Sequence, residues 1–372
     1  MSRFSSGADG LSVSAPAGRL RMPGRGSMAA GKGPTRVRFD LADWQTPLAS
    51  IEQRAATAER LGYEGIQVSE LRHDPFIESA LAARATGSLR VTTSVAVAFA
   101  RNPMTVATSA NDLQLLSRGR FVLGLGSQVR AHIERRFSMP WTAPAPRMEE
   151  FVRAVRAIWH SWETGMPLRF TGEHYRHTLM TPFFDPGPNP FGAPPIWIAG
   201  VGSGMTRAAG RVADGFLAHS FTTPRYLETI TADALMQGRR DAGDDTPIDV
   251  CVQPFVAIVD DDERRAAELA IRRQIAFYAS TPAYRGVLEL HGWDGIARSL
   301  TAASLRKEWD AMASFISDEM VDAFAVVGPP AHVASELVRR YSPIATTISF
   351  NTPHPISDDG WADLRAHLDR TP

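Results

Sequence analysis

Apolar positions along the chain fall into two alternating patterns. Short apolar runs at residues 37–41, 65–68, 91–99, 121–126, 196–199, 215–218, 250–259 and 346–350 suit strands covered on both faces. Between them lie segments with helical periodicity. Leu48, Ile51, Ala55, Ala58 and Leu61 share one face, with Thr46 as N-cap, Pro47 at the first helical position and Gly62 as a left-handed stop. Met148, Phe151, Val152, Val155, Ile158 and Trp159 share another. Further helices are expected at 75–84, after Pro103, at 205–212, after Thr223-Pro224, at 261–280, 302–316, after 328–330 and at 361–368, with long loops at 127–146 and 281–301.

Eight strands separated by helices predict an α/β fold, a closed TIM (β/α)8 barrel with insertions; an open doubly wound sheet has the same count of elements. Residues 1–33 are rich in Ser, Gly, Ala, Pro and Arg, and we expect a disordered N-terminal tail to residue 35. Residues 36–372 then form one barrel domain, with an insertion at about 163–195 and a helical excursion at about 261–330. A hairpin is expected near 170–175.

Composition removes several function classes. Forty Lys+Arg balance 40 Asp+Glu, which argues against a nucleic-acid or acidic-membrane partner. No apolar run approaches the ~18 residues of a membrane span, and the tail has no apolar signal core, so a cytoplasmic protein is expected. Cys251 is the single cysteine, excluding an internal disulfide and a multi-cysteine metal site. The only lysines, Lys32 and Lys307, fall in the tail and on an expected surface helix, which disfavours Schiff-base chemistry. His174 and His177 have no evident third ligand, so no metal is expected.

Candidate chemistry gathers where strands end. After the second strand comes Ser69-Glu70-Leu71-Arg72-His73-Asp74-Pro75, the kind of polar burst a barrel puts at its mouth. His73 can exchange a proton near neutral pH, and Glu70 is the candidate carboxylate beside it; Asp74 reads mainly as a helix cap before Pro75. Gly124 and Gly126 end the fourth strand, leaving room for a group to approach the backbone. Ser127 and Gln128 follow, then a basic stretch containing Arg130, His132, Arg135 and Arg136 that reads as solvated. Phe137, Met139 and Trp141 are either a pocket roof or packed core. Gly200-Val201-Gly202-Ser203-Gly204 joins a strand to a helix, where free N–H groups and the helix dipole favour an anion; the plainer reading is a tight turn needing glycine for its φ angles. His219 ends the sixth strand.

These residues together resemble the bacterial-luciferase-like superfamily, specifically its coenzyme F420-dependent oxidoreductases. The resemblance lies in residues 58–65, Thr93-Ser94-Val95, Arg101-Asn102-Pro103, residues 116–126, Ala199-Gly200-Val201-Gly202, Val212-Ala213-Asp214-Gly215 and Val327-Gly328-Pro329-Pro330. It implies a deazaflavin, with FMN as the alternative, at the C-terminal mouth of a TIM barrel that is often a homodimer. It also implies a non-prolyl cis peptide at Ser94-Val95, bulging toward the cofactor ring. On this reading Ser69, Ser94, Val95, Ser127, Gln128, Ala199, Gly200, Val201, Gly202 and Ser203 hold the cofactor. His73 and Glu70 serve hydride transfer to or from a small organic substrate. The alternatives are a reduced-FMN monooxygenase and a non-catalytic barrel that binds F420 or a phosphorylated metabolite.

Overall fold

Alternation of side chains along parallel strands builds a closed ring in the computed structural model, which describes residues 36–43 and 46–371. The expected tail at 1–35 lies outside the described residues. The strands in chain order are β1 (Arg38–Asp43), β2 (Gly65–Val68), β3 (Arg90–Thr93), β4 (Ala96–Val97), β5 (Phe121–Gly126), β6 (Phe170–Thr171), β7 (Arg176–His177), β8 (Ile196–Gly200), β9 (Gly215–Ala218), β10 (Asp249–Val252), β11 (Phe255–Ile258), β12 (Ala325–Gly328) and β13 (Thr347–Ile348). Parallel pairing runs β1–β2–β3–β5–β8–β9–β10–β13 and returns to β1, with β4 continuing β3 along β5. This is an eight-position parallel barrel, the expected TIM barrel, rather than an open sheet.

Odd and even positions divide between two environments. Phe39, Leu41, Ile66, Val68, Val91, Phe121, Leu123, Ile196, Ile198 and Phe216 point outward into the main core under the helices. The inward residues are apolar along one arc, with Val122, Trp197, Leu217 and Cys251 packed together. Along the other arc, the fully buried Asp40, Gln67, Thr92 and Thr347 point inward. The helix Pro144–Thr164 buries the six apolar residues of its predicted face, each contributing about 1.5–3 kcal/mol by burial.

Several expectations are revised. Thr46 and Pro47 do not open an α-helix: a 3-10 turn at Leu48–Ser50 precedes the helix Ile51–Arg60. The third strand breaks at Ser94-Val95, a cis peptide. The expected strand 250–259 also breaks, because Pro254 supplies no backbone donor. Its second half, β11, leaves the barrel to pair in parallel with β12, a strand the sequence reading missed. The loop expected at 281–301 is helical, at Arg285–Leu290 and Asp294–Leu305. With the helix Asp261–Ala279 these segments enclose a second apolar core around Phe221, Phe255, Ile271, Leu300 and Phe324. Lys307 sits in a turn with φ 62°, not on a helix. The hairpin between 163 and 195 pairs Phe170 with His177, and Glu150 accepts the backbone N–H groups of Glu173, His174 and Tyr175 at its tip.

Candidate active site at the C-terminal rim

The rim is shaped first by a register change. Thr92 faces Val122 and Ala96 faces Leu125, so the β3–β4 side carries one residue more than β5 over the same stretch. That extra residue makes a bulge at 93–95. Thr93 fastens it: its hydroxyl donates to the Gly124 carbonyl and accepts the Gly124 N–H, both at 2.8 Å. The two glycines are there for space. A Cβ on Gly124 would lie 1.8 Å from the Thr93 carbonyl oxygen, and one on Gly126 would lie 2.5 Å from a Val95 methyl carbon.

The loop after β2 grips the bulge from the other side. Ser94 N–H donates to the Val68 carbonyl at 2.6 Å, Ser69 Oγ donates to the Ser94 carbonyl at 2.7 Å, and Glu70 N–H donates to the Val95 carbonyl at 3.2 Å. Glu70 Oε2 then accepts the Val97 N–H at 2.7 Å and an Arg101 N–H at 2.6 Å. The Glu70 side chain is 8% exposed. Its carboxylate thus holds the backbone of β4 and the Arg101 guanidinium, contacts that the catalytic expectation for Glu70 does not include. Arg101 reaches Asp74 as well, at 2.8 Å, while Asp74 Oδ1 caps the helix Pro75–Ala85 through Phe76 N–H and Ile77 N–H, as expected for a cap. His73, half-buried between these anchored residues, has no hydrogen-bond partner among the described residues.

Along β5 the chain leaves the barrel at Ser127 and Gln128, both partly exposed; Gln128 has φ 59° and its side chain accepts Val129 N–H at 2.9 Å. The basic stretch beyond is a short helix, Arg130–Arg135, seated on the buried Ile133. Arg130 pairs with Glu134, and Arg136 donates to the Leu71 carbonyl at 3.2 Å, tying the loops after β2 and β5 together. Phe137, Met139 and Trp141 pack against the main core, and Trp141 meets Phe99 edge-on.

At the end of β8, Ala199, Gly200 and Val201 are partly exposed, and Gly202, Ser203 and Gly204 are exposed. The helix Ser203–Val212 begins there with Gly202 as N-cap and no side-chain cap. None of Gly200, Gly202 or Gly204 has a positive φ, so the turn does not need glycine for its backbone angles. What Gly202 and Gly204 provide is room, with nothing within 4 Å of a Cβ built on either. Uncapped N–H groups facing open space suit a phosphate. Next door, Gly200 pairs with Ala218 at the end of β9. His219 follows: its Nδ1 accepts Phe221 N–H at 3.0 Å, and its ring lies 4.7 Å from both Tyr278 and Tyr284 of the helical excursion. Burial pulls its imidazole down to about 4, so it is neutral at physiological pH.

The ends of β2, β3–β4, β5, β8 and β9 are consecutive around the barrel, so the loops at 69–74, 94–95, 127–128 and 200–204 share one rim. Sequence reasoning missed the residues beneath that rim. Gln253 donates to Gln67 Oε1 at 2.6 Å and to Ser94 Oγ at 3.0 Å, and Gln67 donates to Asp40 Oδ2 at 3.2 Å. A polar residue flanked by Phe39 and Leu41, and a Gln-Pro pair inside an apolar run, were the available signals. His174 and His177 lie in the hairpin, and no cluster of three or more metal-ligating side chains occurs among the described residues. No helix among them is long and apolar enough to cross a membrane.

Comparison with known proteins agrees with this geometry. The family profile described as luciferase-like monooxygenase matches residues 25–347. An uncharacterized protein of Mycobacterium tuberculosis is 48% identical over 310 residues, covering 83% of this chain and 91% of that protein. A 5,10-methylenetetrahydromethanopterin reductase of Methanolobus tindarius is 27% identical, covering 76% and 84%. Among solved structures, the coenzyme F420-dependent tetrahydromethanopterin reductase of Methanopyrus kandleri superposes with a TM-score of 0.76 at 19% identity, covering 90% of this chain and 99% of that one. A monooxygenase from Streptomyces bottropensis superposes with a TM-score of 0.62 at 18% identity, covering 90% and 98%. At these identities the two superpositions speak for the fold alone.

Proposed function

We propose that this chain, which belongs to the luciferase-like monooxygenase family, is an oxidoreductase that moves a hydride between coenzyme F420 and a small organic substrate. One observation carries the reading: an anion-ready helix N-terminus lies on the same rim as a bulge backed by buried hydrogen bonds, two strands away. A ligand with a phosphate at one end and a planar ring at the other fits that pair of features. The similarity to a putative coenzyme F420-dependent oxidoreductase of Mycobacterium tuberculosis, 28% identical over 322 residues, favours F420 over FMN.

When bound, the deazaflavin supplies a ring that carries two electrons as a hydride; the rest is work for the protein. The N–H groups of residues 203–205, together with the helix dipole, receive the phosphate, and Gly202 leaves room for it. Ser69, Ser94, Val95, Ser127 and Gln128 would hold the ring, and Ala199, Gly200 and Val201 would hold the part of the cofactor nearer the phosphate. His73 gives or takes the proton that accompanies the hydride, because its imidazole has no hydrogen-bond partner among the described residues and imidazole is a side chain suited to proton exchange. Glu70 acts as a positioning residue, holding the bulge through Val97 and Arg101.

Titration of the purified protein with F420 and with FMN tests the proposal. Saturable quenching of F420 fluorescence, followed by oxidation or reduction of the bound coenzyme by a member of an alcohol and ketone panel, is the expected result. Tight FMN binding without F420 affinity, with oxygen consumed in the presence of reduced FMN, would replace it with the monooxygenase reading. F420-induced thermal stabilisation without turnover on any panel member would instead fit a binding protein.

A further inference from the structure

A chain of hydrogen bonds crosses the barrel interior beneath the rim, and its direction is fixed at one end. Arg90 donates to Asp40 Oδ2 at 2.7 Å. A guanidinium has donors only, so that oxygen accepts. The same oxygen accepts from Gln67 Nε2, whose other contact is Cys251 Sγ at 3.1 Å. Both amide protons of Gln67 therefore point away from Gln253, and its carbonyl oxygen points toward it. Gln253 must answer with its own amide nitrogen, at 2.6 Å, and the second proton of that nitrogen goes to Ser94 Oγ at 3.0 Å. Flipping Gln67 would set its carbonyl oxygen against Asp40 Oδ2, and flipping Gln253 would set its carbonyl oxygen against Gln67 Oε1, so the chain has one polarity.

Ser94 thus accepts from Gln253, and its hydroxyl proton finds no acceptor among the described residues. Gln253 follows β10, which stands opposite β3 in the eight-position ring, so it reaches Ser94 across the barrel mouth. We infer that Gln253 is a positioning residue: fixed in orientation by Asp40 through Gln67, it makes the Ser94 hydroxyl an obligate hydrogen-bond donor toward the ring of the bound cofactor. The inference rests on the cofactor reading given above and adds to it a polarity set from the fully buried Asp40 and Gln67. A planar ring presenting an acceptor atom at that point is favoured, and one presenting an N–H there is disfavoured.

A double-mutant cycle on F420 affinity, read by fluorescence quenching, tests it with Gln253→Met, Ser94→Ala and the pair. Each single substitution is expected to weaken binding ~2- to 10-fold, the worth of one oriented hydrogen bond. The pair should be no weaker than Ser94→Ala alone, because Gln253 acts through that hydroxyl. Additive losses would overturn the inference and leave the cofactor reading standing, whereas absence of F420 and FMN binding in the unaltered protein would overturn both. Should Gln253→Met not fold, a neutron structure of the unaltered protein with F420 decides the matter. The Ser94 hydroxyl proton is expected on the cofactor side; finding it directed at Gln253 would overturn the inference.

Discussion

Glu70 and Arg101 meet through one carboxylate oxygen, at 2.6 Å, and that oxygen also takes the Val97 N–H at 2.7 Å. The pair links the loop after β2 to the segment after β4, so the bulge between them is held at both ends. Removing Arg101 leaves a carboxylate 8% exposed with its charge unmatched. Arg101→Met is therefore expected to cost about 2–4 kcal/mol in urea denaturation, and Glu70→Gln, which keeps an acceptor for Val97, about 1–2 kcal/mol. Equal midpoints for Arg101→Met and the unaltered protein would mean that the pair contributes nothing.

The two glycines of β5 differ in what a methyl group would strike. Gly124→Ala meets a backbone carbonyl at 1.8 Å that cannot retreat without breaking β3, whereas Gly126→Ala meets a valine methyl at 2.5 Å. The first is expected to lose more than about 3 kcal/mol or fail to fold, the second about 1–3 kcal/mol. Comparable denaturation midpoints for the two variants would contradict this account of the bulge.

Gly202→Asp separates helix stability from ligand binding. An aspartate at an uncapped N-cap with free space around it should stabilise the fold by about a few tenths of a kcal/mol, seen as a slightly higher melting temperature. Its charge should weaken binding of an anionic cofactor at least ~10-fold at low salt, with partial recovery as salt screens it. Unchanged affinity would place the phosphate elsewhere.

His73→Gln should reduce turnover by about 10²-fold or more while leaving the F420 dissociation constant within ~2-fold, since proton transfer and not binding is removed. A variant with full turnover on the substrate found by panel screening would remove His73 from the mechanism.

His219 gives a pH signature. Its folded value near 4 lies below the ~6.5 of an unfolded histidine, so between these values the unfolded chain binds the extra proton. The stabilisation from keeping it neutral is complete above about pH 6.5 and is lost as the pH falls toward 4, at most about 3 kcal/mol in total. Protonation would also break the bond from Phe221 N–H to Nδ1. In urea denaturation the stability gap between pH 7 and pH 4.5 should shrink in His219→Gln; an identical gap would show that this imidazole does not drive it.

How far the sequence could be read follows from how local each signal is. The strands at 65–68, 121–126 and 215–218 stand out because short apolar runs are bounded by glycine and polar residues. The helix starts at Pro75, Pro103 and Pro224 carry their own caps in Asp74, Asn102 and Thr223. The misread stretch at 250–259 is apolar on both sides of Gln253-Pro254, and only tertiary pairing reveals that its halves join different sheets. The stretch 281–301, expected as loop, holds two short helices, with Gly292 between them and Gly295 in the first turn of the second. The loops of the rim could be located because barrel chemistry follows strand ends. The partners could not: Glu70 and Arg101, or Gln67 and Gln253, lie far apart in the chain, and nothing in either residue names the other.

The β11–β12 ladder has a further consequence. The chain departs after β11 into the helices from Asp261 to Phe324 and comes back on β12, directly alongside. Because closing a loop becomes only slowly costlier as it lengthens, whatever is strung between these two strands can grow, shrink or be exchanged for another helical cap while the ring below keeps its register. Tyr278 and Tyr284, beside His219, belong to that exchangeable stretch. Descendants of this architecture can thus reshape one wall of the mouth by trading a cassette and leave the opposite wall untouched.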